Sequence, residues 1–141
     1  EISCSLVGSE MCIRDSAKVW ADGGKPLSEA CDESMSDAFP EEFEVIDSDR
    51  VMIKPRFSAF FATSLDLVLR RLGVQTVVLA GTTTPNCIRT TSYDALSLDY
   101  DVIVLSDCTS SVTPEVQHVN LEDMQRIGAQ IMTLDEIKNH S

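Results

Sequence analysis

The stretch VQTVVLAGTTTPNCIRTTSYDALSLDYDVIVLSD, residues 74–107, decides the fold. Its apolar runs over residues 74–81 and 101–107 predict two buried strands, and residues 87–99 between them predict a helix. A strand, a helix and a second apolar strand in succession are typical of a parallel pair joined by a crossover helix. The fold class indicated is α/β.

The flanking segments continue this alternation of strands and helices. Residues 63–73 have apolar positions at helical spacing between a Thr/Ser start and a terminal glycine, which predicts an amphipathic helix. Residues 113–128 predict another helix, with Thr113 as its N-cap and Pro114 as its first residue. The predicted architecture is a doubly wound, mainly parallel sheet with helices on both faces.

Shorter elements complete the prediction. Residues 129–133 predict a strand, and a last helix follows in which Thr133 and Glu136 have the spacing of a capping box. Upstream, residues 49–54 form a β-branched run stopped by Pro55, which predicts a strand ending at Lys54. Residues 17–22 predict one more strand, followed by a long loop.

The amino-acid composition of the chain limits the classes of function that the protein can have. The 141 residues are 43% hydrophobic and 24% charged, which suits one domain with a core of its own. The net charge is −12 and basic residues do not cluster, so we expect no nucleic-acid partner. Apolar runs fall far short of the roughly 20 residues of a membrane span, so we expect a soluble protein without membrane contact. Irregularly spaced cysteines without a C-x-x-C pair favour neither a disulfide framework nor a zinc site, and point to the cytoplasm.

The first residues look foreign to the rest of the chain. Residues 6–16, LVGSEMCIRDS, resemble the in-frame translation of a transposon-end adapter used in sequencing libraries. We therefore expect residues 1–16 to be a non-native scar and residues 17–141 to form a single domain, truncated at its N-terminus.

Cys87 is the strongest candidate for a chemical role. It follows a strand, a Thr-rich turn and Pro85, and Asn86 is placed to cap the helix that begins near the cysteine. The N–H groups of a helix start favour thiolate over thiol, which makes Cys87 a candidate nucleophile; the alternative is a buried structural cysteine. That alternative is the interpretation we prefer for Cys31 and Cys108.

Two other cysteine chemistries fail on spacing. A tyrosine-phosphatase loop needs an arginine six residues after the cysteine, where this chain has Tyr93, and a dithiol motif needs a second cysteine nearby. A cysteine–histidine pair is also disfavoured, because His118 and His140 are expected at the surface.

Lys54 is a second candidate, because an amine that closes an apolar strand at the ligand-binding edge can stabilise a thiolate or an oxyanion. Position alone favours a lysine that reaches solvent.

Three segments share a combination of motifs: MIKPRFSAF (residues 52–60), LAGTTTPNCIRTTSYDALSLDYDVIVLSDCTSS (residues 79–111) and TPEVQHVNLEDMQRIGA (residues 113–129). The first contains K-x-R-x-S-A-F and the second contains G-x-x-T-x-x-C. Together they resemble the isochorismatase-like cysteine hydrolases, which include nicotinamidases, N-carbamoylsarcosine amidohydrolases and ureidoacrylate or biuret amidohydrolases. The resemblance spans about residues 49–137.

The resemblance implies an Asp, Lys and Cys triad that cleaves a small-molecule amide through a thioester. It makes Cys87 the nucleophile and Lys54 the cationic member, with an oxyanion hole from the N–H groups of Thr83 and Cys87. It also implies a cis peptide between Thr82 and Thr83. Two aromatic residues are expected to line the pocket or, equally, to pack in the core: Phe57 and Phe60.

Two departures from the family pattern modify that expectation. The D-x-Q-x-D-F segment, which carries the catalytic Asp on the first, central strand of the family's sheet, is missing. Its loss removes the base and the hydrogen-bond partner of the neighbouring strands, so we expect a truncated chain that is poorly stable and inactive. No histidine lies between Ala17 and Lys54, so we expect no metal site, and no cofactor is implied. The family also implies a homo-oligomer for the full-length protein.

Two other functions stay open. One is vinyl-ether hydrolysis of isochorismate, which needs no cysteine, and the other is a non-catalytic interaction domain on the same scaffold. The reactivity of the Cys87 thiol distinguishes both from an amidohydrolase.

Overall fold

The structure, a computed structural model, describes residues 49–52 and 54–140. Of these described residues, those up to Leu65 belong to one compact unit and those from Asp66 onward to a second. The predictions for residues 1–16, for the strand over residues 17–22 and for Cys31 lie outside the described residues. Eight elements follow in order: α1 Leu65–Arg71, β1 Thr76–Thr82, a π-helical segment Thr84–Ile88, α2 Arg89–Ser97, β2 Asp101–Ser110, α3 Pro114–Arg126, β3 Gln130–Met132 and α4 Leu134–His140.

The described strands form one parallel sheet in the order β1, β2, β3. This confirms the predicted α/β class. The central strand β2 has a strand on each side and carries two almost fully buried side chains, Val102 and Val104. Helix residues Ala95 and Met124 are fully buried in the same unit.

Strand β1 is less buried than its apolar run predicted. Val77 and Leu79 are partly covered, whereas the alternate side chains, including Val78 at 49% exposure, face out. An apolar run makes it favourable to bury both faces of a strand, but burial also needs helices packed on each face, which the run itself does not provide.

The ladder between β1 and β2 is interrupted before β1 ends. Leu79 pairs with Val104, but Gly81 pairs with Thr109. The register therefore shifts between Leu79 and Gly81, because two steps along β1 correspond to five steps along β2. Gly81 has a φ of +118°, a conformation that residues with a Cβ rarely adopt. The pairing then resumes, and Thr82 lies opposite Ser110 at the carboxyl end of both strands.

The starts of α3 and α4 follow the predicted capping signals. The Thr113 side chain accepts the N–H of Val116 at the start of α3. Before α4 the Thr133 N–H donates to the Glu136 carboxylate at 2.7 Å, and the Glu136 N–H donates back to Thr133 Oγ1 at 3.3 Å. The predicted capping box is therefore confirmed.

The strand predicted over residues 49–54 is wrong for the residues that the structure describes there. Residues 49–52 and Lys54 belong to no strand, and bends follow at residues 56–60. A β-branched run favours extended backbone, but a strand also needs a hydrogen-bonded neighbour, which the local pattern cannot specify.

Candidate active site

Cys87 lies where the chain leaves the carboxyl end of β1. The peptide bond between Thr82 and Thr83 is cis, as the family resemblance implied. Thr84–Ile88 then form the π-helical segment, and α2 begins at Arg89 without a break. Cys87 is a thiol, not a disulfide, and its side chain is half-buried. The structure thus brings Thr82, Thr83 and Cys87 together in one strand-to-helix turn.

The helical stretch begins three residues earlier than predicted. Thr83 is the N-cap residue, with extended backbone and no side-chain capping bond, so the prediction of Asn86 as cap is wrong. Asn86 lies inside the segment, where its N–H donates to the Thr83 carbonyl and its own carbonyl accepts the Thr90 hydroxyl at 2.6 Å. The reason is the π-helical geometry, which often occurs at functional sites.

Thr84 is a residue of this site that the sequence interpretation assigned no role. It is fully buried, and its hydroxyl donates to the carbonyl of Ser110 at 3.0 Å. The available signal was its place in G-x-x-T-x-x-C, but its partner lies 26 residues away.

A charged cluster holds the start of α2 against α3. Asp123 on α3 lies 2.7 Å from the Arg89 guanidinium and accepts the Tyr93 hydroxyl at 2.8 Å. The Arg89 guanidinium also lies over the Tyr93 ring. The hydrogen bond from Tyr93, and then the charge of Arg89, lower the pKa of the Asp123 carboxyl.

Lys54 belongs to the first compact unit and is described within it. Its side chain is only 4% exposed, and its Nζ donates to the Arg56 carbonyl at 2.7 Å. The interpretation of a strand-end lysine reaching solvent is therefore wrong. Buried lysines are uncommon in proteins, which keeps Lys54 a candidate for a chemical role.

The predicted pocket residues Phe57 and Phe60 are half-buried in the same unit. Between them, Ser58 is buried and its Oγ accepts the Phe60 N–H at 3.1 Å, which turns the K-x-R-x-S-A-F segment.

The structure also describes Cys108 and His118. Cys108 is a half-buried thiol whose pKa is raised, first by burial and then by the charge of Asp107. His118 is exposed on α3, 3.6 Å from Glu122. Within residues 49–52 and 54–140 no group of three or more His, Cys, Asp or Glu side chains could hold a metal ion. None of the helices over the same residues has the length and apolar character to cross a membrane.

Comparison with known proteins adds the family context. Residues 14–136 match the family model described as Isochorismatase domain. A protein named probable inactive nicotinamidase from Arabidopsis thaliana is 47% identical over 91 residues, covering 64% of this chain and 46% of that protein. Maleamate amidohydrolase from Pseudomonas putida is 36% identical over 110 residues, covering 78% of this chain and 47% of the enzyme. The chain thus spans about half the length of these two relatives.

Solved structures agree with the sequence comparisons. An isochorismatase family protein from Desulfovibrio vulgaris superposes with a TM-score of 0.79 at 33% identity, covering 96% of this chain and 73% of that one. A nicotinamidase from Bacillus subtilis superposes with a TM-score of 0.58 at 29% identity, covering 76% of this chain and 54% of that one.

Proposed function

The chain belongs to the isochorismatase family, and we propose that it is built as a cysteine hydrolase for a C–N bond of a small amide or ureido compound. The observation that carries the proposal is the position of Cys87, a half-buried thiol in the turn at the carboxyl end of β1. Ligands of parallel α/β sheets bind at this edge. Relatives named as amidohydrolases support the bond type.

The proposed reaction has two halves. The Cys87 thiol gives up its proton and the thiolate attacks the carbonyl carbon; the C–N bond breaks, and the leaving nitrogen takes up that proton and departs as ammonia or an amine. Water then attacks the thioester, which releases the carboxylic acid and returns the thiol. The N–H groups of Thr83 and Cys87 are proposed to bind the oxyanion in both halves.

Lys54 is proposed as the cationic member of the triad. The family resemblance is the basis of this role, in which a lysine ammonium group favours the thiolate form of the nucleophile. The D-x-Q-x-D-F segment that carries the catalytic Asp of the family is missing from this sequence, so we expect a reactive thiol without turnover.

The proposal is tested by the pH dependence of iodoacetamide labelling, with each site quantified by peptide mass spectrometry. We expect Cys87 to be labelled with a midpoint below the ordinary thiol value of about 8.5. Cys108 is an internal control, because burial and Asp107 raise the pKa of its thiol, and we expect it to be labelled only at higher pH. Cys87→Ala identifies the reactive site.

An ordinary labelling midpoint at Cys87 would overturn the proposal and leave either vinyl-ether hydrolysis or a non-catalytic scaffold. Ammonia release from maleamate, ureidoacrylate and nicotinamide is measured in parallel. Release that depends on Cys87 would support the hydrolase and contradict the expected lack of turnover.

A further inference from the structure

Thr84 is fixed to the sheet by its side chain. It is the first residue of the π-helical segment and is fully buried. Its hydroxyl donates to the carbonyl of Ser110, the last residue of β2, at 3.0 Å. Ser110 is also the ladder partner of Thr82. The chain just before Cys87 is therefore joined to the end of β2 both through the ladder and through a side chain.

The backbone of Thr84 closes the turn that holds Cys87. The N–H of Arg89, where α2 begins, bonds to the carbonyls of Thr84 and Asn86, and the Ile88 N–H bonds to the Thr83 carbonyl at 3.4 Å. Cys87 lies between the Thr84 carbonyl and the Arg89 N–H that closes onto it. A shift of Thr84 would accordingly move the backbone that carries the thiol.

The hydroxyl is the part of Thr84 that makes this link. Valine has nearly the same shape and would fill the same buried space, but it cannot donate to the Ser110 carbonyl. Thr90 provides a contrast, because its hydroxyl donates to the Asn86 carbonyl within the same helical stretch and makes no bond to the sheet.

We propose that Thr84 is a positioning residue for Cys87: its hydroxyl fastens the π-helical segment to the end of β2 and so sets the direction of the thiol. This inference rests on the proposed function, in which Cys87 is the nucleophile. It assigns a role to the threonine of G-x-x-T-x-x-C.

The test measures the pH dependence of Cys87 labelling by iodoacetamide in the full chain and in Thr84→Val, Thr84→Ser and Thr90→Val. Thr84→Val is expected to raise the pH midpoint of Cys87 labelling and to slow labelling at pH 7 by about two- to five-fold. This fold-change corresponds to the free energy of the interaction between a charged group and a helix terminus. Thr84→Ser, which keeps the hydroxyl, and Thr90→Val are expected to label like the unchanged chain. Cys108 labelling is expected to be the same in all four proteins.

Unfolding by urea is measured on the same samples to separate positioning from stability. A Thr84→Val chain that is less stable but labels at Cys87 like the unchanged chain would overturn the inference. If Thr84→Val does not fold, Thr84→Ala replaces it, and equal labelling of the Ala and Ser variants would overturn the inference. An ordinary Cys87 midpoint in the unchanged chain would instead overturn the proposed function, so the two failures are distinguishable.

Discussion

The Arg89 guanidinium lies 2.7 Å from the Asp123 carboxylate, so the helix that follows Cys87 is tied to α3 by an ion pair. Both side chains are more than a third exposed, at 42% and 35%. An isolated pair with that exposure stabilises a protein little, since water and salt screen it. The Tyr93 hydroxyl bonds to the same carboxylate and adds a hydrogen bond from a neutral donor, which salt screens less than it screens the ion pair.

Asp123→Asn is expected to lower the thermal stability of the chain at neutral pH. The Tyr93 hydrogen bond and the Arg89 charge lower the pKa of Asp123, so its folded pKa is below its unfolded value. A depressed carboxyl pKa contributes stability above the unfolded pKa, and the contribution is lost as pH falls through the folded pKa. The melting temperatures of the two proteins should therefore differ at pH 7 and converge below about pH 4.

Glu122→Gln is the control on the same helix, because Glu122 meets the exposed Arg126 at 3.5 Å. A smaller loss of stability is expected for it at pH 7. A difference between Asp123→Asn and the unchanged chain that stayed constant from pH 7 to pH 3 would contradict the assigned role of the Asp123 charge.

Asp99→Gly is expected to stabilise the chain by about 1 kcal/mol, since Asp99 has a φ of +63° just after α2 and side chains disfavour that conformation. Urea unfolding measures the change, and Asp99→Ala is expected to shift stability in the opposite direction. Equal effects of Gly and Ala would mean that backbone conformation does not limit stability at this position.

Elements of the second unit were predictable because their signals are local. Thr113 and the Thr133–Glu136 pair contact residues within three positions, and the sequence pattern contains both partners of each bond. The apolar runs of β1 and β2 likewise indicated parallel strands. Where only nearby residues decide the structure, the pattern and the structure agree.

The site required contacts that the local pattern does not contain. The Thr84 hydroxyl donates to the carbonyl of Ser110, 26 residues further along the chain. The Tyr93 hydroxyl donates to the carboxylate of Asp123, 30 residues further along. Asn86 is a residue type that favours N-cap positions, but the π-helical segment begins at Thr84, so Asn86 lies inside the helix. Cys87 could be selected from sequence because its type and its strand-to-helix position are both local.

Gly81→Ala is expected to lower the free energy of unfolding by about 1–3 kcal/mol, because Gly81 has a φ of +118° where the β1–β2 register shifts. A Cβ at this position would meet only Ile88 Cδ1, at 3.9 Å, so backbone conformation and not crowding is the cause. Urea unfolding measures the loss. Gly81→Ala with Ile88→Val should recover none of it, whereas recovery would show that the side-chain contact was responsible.

Tyr100→Phe is expected to lower the free energy of unfolding by about 1.5–3 kcal/mol at pH 7, the range for a hydrogen bond to a charged group. The buried Tyr100 hydroxyl donates to Asp66 Oδ1 at 2.8 Å and so ties α1 to the start of β2.

Burial, and then the bond to Asp66, raise the pKa of the Tyr100 hydroxyl above its ordinary value. A raised folded pKa means that the stabilisation is complete below the unfolded pKa and declines as pH rises above about 10. Chemical unfolding at pH 7 and pH 10.5 should show a stability loss in the unchanged chain that is smaller in Tyr100→Phe. Equal alkaline losses in the unchanged chain and Tyr100→Phe would rule out the Tyr100 hydroxyl as the source.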